Sequence, residues 1–224
     1  GLGGMFFTLV TSDGDIGFAT GRVLGGVVFS LGLLLVVVAG AELFTGNNLL
    51  AMAWADGLIS TREVLRNWIV VCAANFVGAS GIALLVHLSG HTNMNDGAVA
   101  AHCVKIAAAK CAIPFWTAFF SGVLCNILVC LAVWMTYSGR TVIDKVVAIS
   151  VPVTAFVACG FEHCIANMYY LPLALAIREG APAEFWTAIG KTAADYSALS
   201  VEGFLVYNLL PVTIGNIIGG ALAV

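Results

Sequence analysis

Two polar segments with one shared residue pattern interrupt apolar stretches of this sequence. Residues 40–47 and residues 160–167 both read Gly-x-Glu-x-x-x-x-Asn, with Glu42 and Glu162 in matched positions. A charged side chain costs about 3 kcal/mol at the centre of a membrane helix and is usually functional there. Matched breaks in apolar helices of the two halves of a membrane protein indicate a substrate pathway near the bilayer midplane.

The residues that the two segments share can act as structural anchors. Where a helix unwinds, its freed backbone N–H groups need acceptors, and a nearby carboxylate can accept from them as a helix cap does. This structural role requires no substrate, and it accounts for the presence of a glutamate in both segments. We therefore predict that four residues hold two unwound loops in place: Glu42, Asn47, Glu162 and Asn167.

His163 differs from these anchors because the matched position in the first segment is Leu43. A residue that breaks the repeat is not required by the shared scaffold, and histidine is the side chain most easily poised to exchange a proton near neutral pH. Thr45, in the opposite segment, is the natural hydroxyl partner. The alternatives are a hydrogen-bonded core histidine and a threonine that only caps its loop.

One basic residue and several apolar residues complete the set of candidates. Lys110 lies four residues before Pro114. It is either a lysine that extends to the membrane surface or a fixed positive charge that attracts an anion. Two apolar rings around a polar waist would form a pore without a continuous file of water. The large apolar side chains near the breaks are Phe29, Leu33, Phe44, Phe156 and Phe161.

The composition is that of an integral membrane protein. Of the 224 residues 61% are hydrophobic and only 9% are charged, against about 25% charged in soluble domains. Mean hydropathy is +1.02, and the net charge of −3 gives no indication of a nucleic-acid partner. The seven cysteines form no Cys-x-x-Cys pair and fall mostly in apolar stretches, so we predict no disulfide, metal site or cofactor.

Six apolar stretches predict an all-α protein with six transmembrane helices. A full span needs about 20 residues, so the short stretches 49–55 and 168–177 are predicted to be half-helices that resume after the breaks. Residues 1–11 are too few for a span, and we expect the start of the first helix to be missing from this sequence. The stretches are 1–11, 16–41, 67–89, 106–137, 143–161 and 201–224.

A second repeated pattern predicts two related halves within one transmembrane domain. Residues 67–78 and 208–219 both read Asn-x7-Asn-x-x-Gly. With three spans in each half, roughly 1–89 and 105–224, the second half must be inserted upside down relative to the first. The predicted domain is therefore an inverted repeat over 1–224.

The distribution of positive charge predicts the orientation of the protein. Two loops on one side of the membrane carry basic residues, Arg62 and Arg66 in one and Arg140 and Lys145 in the other, whereas residues 87–104 contain none. Cytoplasmic loops carry an excess of Lys and Arg. We therefore predict that both termini are cytoplasmic.

Four motifs stand out along the chain: AELFTGN (41–47), NILVCLAVWM (126–135), GFEHCIANM (160–168) and NLLPVTIGNIIGG (208–220). They resemble those of the formate/nitrite transporters, and the resemblance covers essentially the whole chain. It is closest to the formate channel branch of that family. It implies an aquaporin-like fold in which helices 2 and 5 are broken. It also implies a homopentamer in the lipid bilayer of the bacterial inner membrane, with a pore in each protomer.

The resemblance also implies a role for individual residues of a substrate pathway. His163 is similar to the family's central pore histidine, Thr45 to its hydrogen-bond partner and Lys110 to its fourth-helix lysine. Two constrictions are implied on either side of the histidine. They are formed by Leu33, Phe44 and Val129 on the cytoplasmic side, and by Phe29, Phe156 and Asn126 on the periplasmic side.

These features predict a channel or proton-linked transporter for a small monovalent anion, formate first, and no enzymatic activity. A bare anion faces a large desolvation penalty in apolar rings, so a proton supplied through His163 would let the neutral acid pass. Nitrite or hydrosulfide is the alternative substrate. Two other classes are a membrane-embedded redox or metal-binding subunit, which would need paired His or Cys ligands, and a neutral-solute channel, whose Asn-Pro-Ala signature is absent.

Overall fold

The structure, a computed structural model, describes all 224 residues. It contains eleven α-helices and no strand, which confirms the predicted all-α class. A π-helix, Gly203–Leu209, runs directly into the last α-helix. The α-helices are α1 (Leu2–Thr11), α2 (Phe18–Phe29), α3 (Leu31–Ala39), α4 (Leu50–Ala55), α5 (Thr61–Leu88), α6 (Ala98–Cys111), α7 (Phe115–Ser138), α8 (Val142–Cys159), α9 (Cys164–Gly180), α10 (Ala183–Ala188) and α11 (Leu210–Ala221).

Five helical segments are long and apolar enough to cross a membrane. The first combines α2 and α3, which are separated only by Ser30. The Ser30 hydroxyl donates to the carbonyl of Gly26 at 3.1 Å, and such a bond to the residue four positions earlier often bends a helix. The five segments are Phe18–Ala39, Thr61–Leu88, Phe115–Ser138, Val142–Cys159 and Gly203–Ala221.

The fourth predicted span is divided in the structure. We predicted one helix over 106–137 after a loop over 87–104, but α6 already begins at Ala98, ends at Cys111, and is followed by a separate helix α7. Pro114 is the N-cap of α7. Proline lacks an N–H and disfavours the helical conformation in the residue before it, which favours a break between the two helices here.

Two helices end within the polar segments that interrupt the apolar pattern. α3 and α8 are followed by Gly40 and Gly160, and both glycines have a left-handed backbone with φ of 77°. Glycine adopts this conformation without the steric cost that a side chain would add. Three residues without regular structure follow in each segment and end at Leu43 and His163. The two breaks therefore begin in the same way, with a left-handed glycine followed by three irregular residues.

Helix α9 forms the centre of the bundle. Ten of its 17 residues are buried, whereas α5 exposes large apolar side chains such as Ile69, Val77 and Leu85 along its length. α9 packs against α5 and α6, α2 packs against α8, and α7 packs against α11. A helix that is apolar and buried all round belongs to the interior, and α9 brings His163 and Asn167 there.

Helices α7 and α11 approach each other closely through glycines of α11. A Cβ atom at Gly215 would overlap the backbone carbonyl of Phe119, and a Cβ atom at Gly219 would overlap that of Val123. Lipid provides no hydrophobic force between helices, so small residues that let two backbones come close dominate such contacts. This packing fixes the position of α7 relative to α11.

We expect Gly219→Ala to lower the melting temperature of the protein in detergent. The added methyl group would push α11 away from α7, and such overpacking costs about 1–3 kcal/mol. Gly81→Ala is the matched control, because Gly81 is exposed on α5 and nothing lies within 4 Å of an added Cβ there. Thermal unfolding followed by tryptophan fluorescence measures both, and equal shifts would contradict a close approach at Gly219.

Candidate functional site

His163 and Thr45 lie in contact although 118 residues separate them in the sequence. His163 is the N-cap of α9, and its Nδ1 accepts the backbone N–H of Ala166 at 3.1 Å. A ring nitrogen that accepts a hydrogen bond carries no proton, so the neutral ring is protonated at Nε2. Nε2 therefore donates to the Thr45 hydroxyl oxygen, 3.0 Å away. The helix cap thus selects the tautomer that this contact needs.

Glu42 is the centre of a hydrogen-bond network in the first segment. Asn47 and Asn67 both donate to its carboxylate, at 2.6 and 3.3 Å, and Asn47 also donates to the side chain of Asn67 at 2.9 Å. Asn75 donates to the backbone carbonyl of Glu42 at 3.1 Å and accepts the N–H of Phe44 at 2.9 Å. The irregular backbone is therefore held by side-chain amides from α5.

Glu162 is the centre of a second network that repeats the first bond for bond. Asn167 and Asn208 donate to its carboxylate, at 2.8 and 3.2 Å, and Asn167 donates to Asn208 at 2.6 Å. Asn216 donates to the backbone carbonyl of Glu162 at 3.0 Å and accepts the N–H of Cys164 at 2.9 Å. The two repeated sequence patterns, one with Glu and one with paired Asn, thus meet in space in each half.

Lys110 distinguishes the two networks. Its Nζ donates to Glu162 Oε1 at 2.6 Å, and the two side chains are 17% and 4% exposed. Glu42 is exposed and has no basic partner. A counter-ion offsets part of the cost of burying a carboxylate, so the pair lets Glu162 lie in the interior. Lys110 was predicted as a lysine that extends to the membrane surface or as a fixed positive charge that attracts an anion, and the structure places it in contact with Glu162.

We expect Glu162→Gln to destabilise the protein more than the matched change Glu42→Gln. The first substitution leaves the Lys110 ammonium largely buried without its counter-ion, which costs about 3 kcal/mol when one partner of a buried pair is removed. The second removes an exposed carboxylate without a basic partner. Melting temperatures of the two variants test this difference, and a larger loss for Glu42→Gln would contradict the role of the ion pair.

Asn126 connects three parts of the chain inside the protein. Its side chain is fully buried, and its Nδ2 lies within hydrogen-bond distance of the Thr45 carbonyl (3.2 Å), the Asn48 side chain (2.8 Å) and the Asn216 carbonyl (2.7 Å). We predicted Asn126 in a constriction of the substrate pathway. The structure places it next to the Thr45 backbone carbonyl, and it does not line either of the two cavities that meet at His163.

Two cavities meet at His163. One has a volume of about 280 Å³ and is named here the Leu33 cavity; the other, of about 320 Å³, is named the Lys110 cavity after the lysine in its wall. The ring of Phe156 stacks on the imidazole with the ring centroids 5.9 Å apart. The residues that line both cavities, and so form the wall between them, are Phe29, Phe156, His163 and Ala166.

The predicted constriction residues other than Phe44 and Asn126 all line these cavities. Leu33 and Val129 lie on the Leu33 cavity, and both are buried. Phe29 and Phe156 lie in the shared wall, where their rings contact edge to face with the centroids 6.0 Å apart. The wall between the two cavities is therefore apolar except for the His163 ring.

Phe44 lies away from the cavities. It lines an apolar groove at the side of the bundle together with Trp68 and Met168, while the preceding residue, Leu43, lines the Leu33 cavity. Sequence reasoning missed Leu43 as a cavity residue. The repeat contained the signal, because Leu43 is the residue that matches His163, and both matched positions face the cavities.

The acidic, histidine and cysteine side chains form no cluster of three or more that could hold a metal ion. Five of the seven cysteines are buried and all are free. Cys125 and Cys164 are two of the fully buried ones and belong to the apolar core. The polar groups described so far are the His163–Thr45 contact, the Lys110–Glu162 pair and the amide networks.

The fold and the site define a multi-pass helical membrane protein with two cavities that meet at a buried histidine. The sequence model of the formate/nitrite transporters matches residues 1–224. The chain belongs to the formate/nitrite transporter family, which confirms the resemblance identified from its motifs.

Relatives within this family are similar over nearly the whole chain. The formate channel FocA of Escherichia coli (strain K12) is 45% identical over 219 residues, which are 98% of this chain and 77% of that protein. The formate channel FocA of Haemophilus influenzae is 42% identical with the same coverage. A solved pentameric formate channel with formate bound has a TM-score of 0.92 and 43% identity, covering 99% of this chain and 89% of that one.

Proposed function

We propose that this protein is a channel for small monovalent anions, with formate as its principal substrate, in the bacterial inner membrane. The relatives at 42% and 45% identity are named formate channels, and the solved relative with a TM-score of 0.92 holds formate. The observation that carries the proposal is the pair of cavities separated only by Phe29, Phe156, Ala166 and His163.

The chemistry of this wall accounts for a weak acid as substrate. A dehydrated anion has no compensating hydrogen bonds between two phenylalanine rings, so its transfer there is costly. Formic acid is a weak acid, and its neutral form crosses an apolar wall at much lower cost. His163 is the one group in the wall that can exchange a proton, and Thr45 accepts from its Nε2.

The proposed pathway runs from the Lys110 cavity past His163 into the Leu33 cavity. We assign Leu43 to the constriction on the Leu33 side with Leu33 and Val129, and we assign Phe44 and Asn126 to the scaffold. The mirrored networks of Glu42 and Glu162 support an inverted repeat with halves 1–89 and 105–224 and with both central helices broken at these residues.

We further propose that the protein assembles as a homopentamer with both termini in the cytoplasm. The solved relative is described as pentameric, and each chain here has its own pair of cavities. Cytoplasmic loops carry an excess of Lys and Arg, so we assign the side that carries Arg62, Arg66 and Arg140 to the cytoplasm and orient the Lys110 cavity towards the periplasm. The proposal includes no enzymatic activity.

Flux measurements on proteoliposomes test the proposed function. Uptake of formate, nitrite, hydrosulfide, acetate and lactate is measured at two pH values, with protein-free liposomes as the control. We expect formate to cross fastest and its flux to increase at the lower pH. A faster flux of nitrite or hydrosulfide would select the alternative substrate, and no flux above that of empty liposomes would overturn the proposal.

A further inference from the structure

Arg22 is a charged residue of the Lys110 cavity without a role in the proposed function. It is partly buried and lines this cavity together with Lys110, Glu162 and His163. Its Nε donates to the backbone carbonyl of Ala158 at 3.0 Å, and its Nη2 donates to that of Val157 at 2.7 Å. Two hydrogen bonds to the end of α8 therefore hold the guanidinium at the cavity wall.

Among the charged side chains that line the Lys110 cavity, only Arg22 has no oppositely charged partner. Lys110 and Glu162 are in contact at 2.6 Å and largely cancel each other. Arg22 forms no salt bridge, and its partners are neutral carbonyls at the C-terminus of α8. A helix C-terminus carries a partial charge of about −0.5, which a full positive charge exceeds. Among the charged residues that line this cavity, Arg22 is thus the one whose charge is not balanced by an opposite charge.

A similar arrangement occurs at the other break. Lys145 lines a cavity with Gly40, the glycine that ends α3, and with Leu43 of the Leu33 cavity. Lys145 forms no salt bridge either. Arg22 comes from α2 and donates to the end of α8, whereas Lys145 comes from α8 and lines a cavity with the end of α3. Each interrupted helix end thus has one unpaired basic residue from the opposite half beside it.

We propose that Arg22, rather than Lys110, supplies the net positive charge that draws the anion into the Lys110 cavity. This inference rests on the proposed anion channel function and adds a selectivity residue to it. Focused potentials in such clefts raise the local concentration of a counter-ion by about 10-fold or more at low salt. Salt screens this attraction, because the Debye length falls from about 30 Å at 0.01 M to about 3 Å at 1 M.

The test is formate uptake by proteoliposomes at 0.01 M and 1 M ionic strength, about the two screening limits. We expect Arg22→Gln to lower uptake about 10-fold at the low ionic strength and less than about 2-fold at the high one. Arg22→Lys keeps the charge and should retain most of the uptake at both. Arg62→Gln is the matched control: it removes an exposed arginine outside both central cavities and should change neither value.

The possible outcomes separate the two proposals. Equal losses for Arg22→Gln at both ionic strengths would assign Arg22 to capping α8 and overturn its electrostatic role, as would an Arg22→Lys variant that behaves like Arg22→Gln. If the wild type takes up formate and Arg22→Gln takes it up equally fast at low ionic strength, the role of Arg22 is overturned and the proposed channel function stands. Wild-type vesicles that take up no formate would overturn the proposed function itself. Melting temperatures confirm that each variant is folded.

Discussion

Replacing His163 with asparagine should abolish the pH response of formate flux. The substitution removes the only group in the shared wall that can exchange a proton. It preserves the start of α9, because the His163 side chain caps the N–H of Ala166 and asparagine is a favourable N-cap residue. We therefore expect a folded protein whose flux falls by about 100-fold at acidic pH, the lower end of the range for a positioned proton donor.

Liposome uptake at a series of pH values measures this effect. Thr45→Ser is the matched control, because it keeps the hydroxyl oxygen that accepts from His163 Nε2. The serine variant should retain the pH response of the wild type. An unchanged pH dependence in His163→Asn would remove the histidine from proton transfer and leave it only the structural role of a helix cap.

Replacing Lys110 with alanine should lower formate uptake by about 10-fold, the scale of a charge effect in a focused cavity. The variant leaves the buried carboxylate of Glu162 unpaired beside the Lys110 cavity, where it repels an incoming anion. Uptake of formamide, a neutral solute of similar size, should change much less. Equal losses for formate and formamide would indicate misfolding instead of an electrostatic effect.

A second substitution makes this prediction sharper. Lys110→Ala combined with Glu162→Gln removes both charges of the pair and leaves Arg22 as the remaining cation of the cavity. Formate uptake by the double variant should recover to well above that of Lys110→Ala. A double variant that is no better than the single one would show that the lysine itself, and not its neutralisation of Glu162, is what the anion requires.

The repeated patterns predicted the structural core of the site because the same physical problem arises twice. Each interrupted helix frees backbone groups, and each half satisfies them with the same residue types, so Asn75 and Asn216 occupy matched positions. His163 stood out as the residue that departs from the repeat. The pattern indicated these residues because each break poses the same backbone requirement, although the bonds themselves join segments 33 and 54 residues apart.

Side-chain contacts between helices far apart in the sequence could not be predicted from the sequence patterns. The Lys110–Glu162 pair depends on how α6 packs on α9, and no periodicity encodes that packing. Phe44 was placed in the constriction because the family resemblance implied it, whereas in the structure it lines the apolar groove at the side of the bundle. Only the match of Leu43 to His163 could have indicated which side chain faces the cavity.

The amide of Asn126 limits how the protein can move. It ties the Thr45 carbonyl and the Asn48 side chain, both in the first half, to α7 and α11 of the second half. A carrier that rocks one half against the other would break these buried bonds in every cycle, at about 1–3 kcal/mol for each polar group left without a partner. Motion during conduction should therefore be confined to a few side chains and the short segment before Thr45, while the two halves stay locked as one rigid frame.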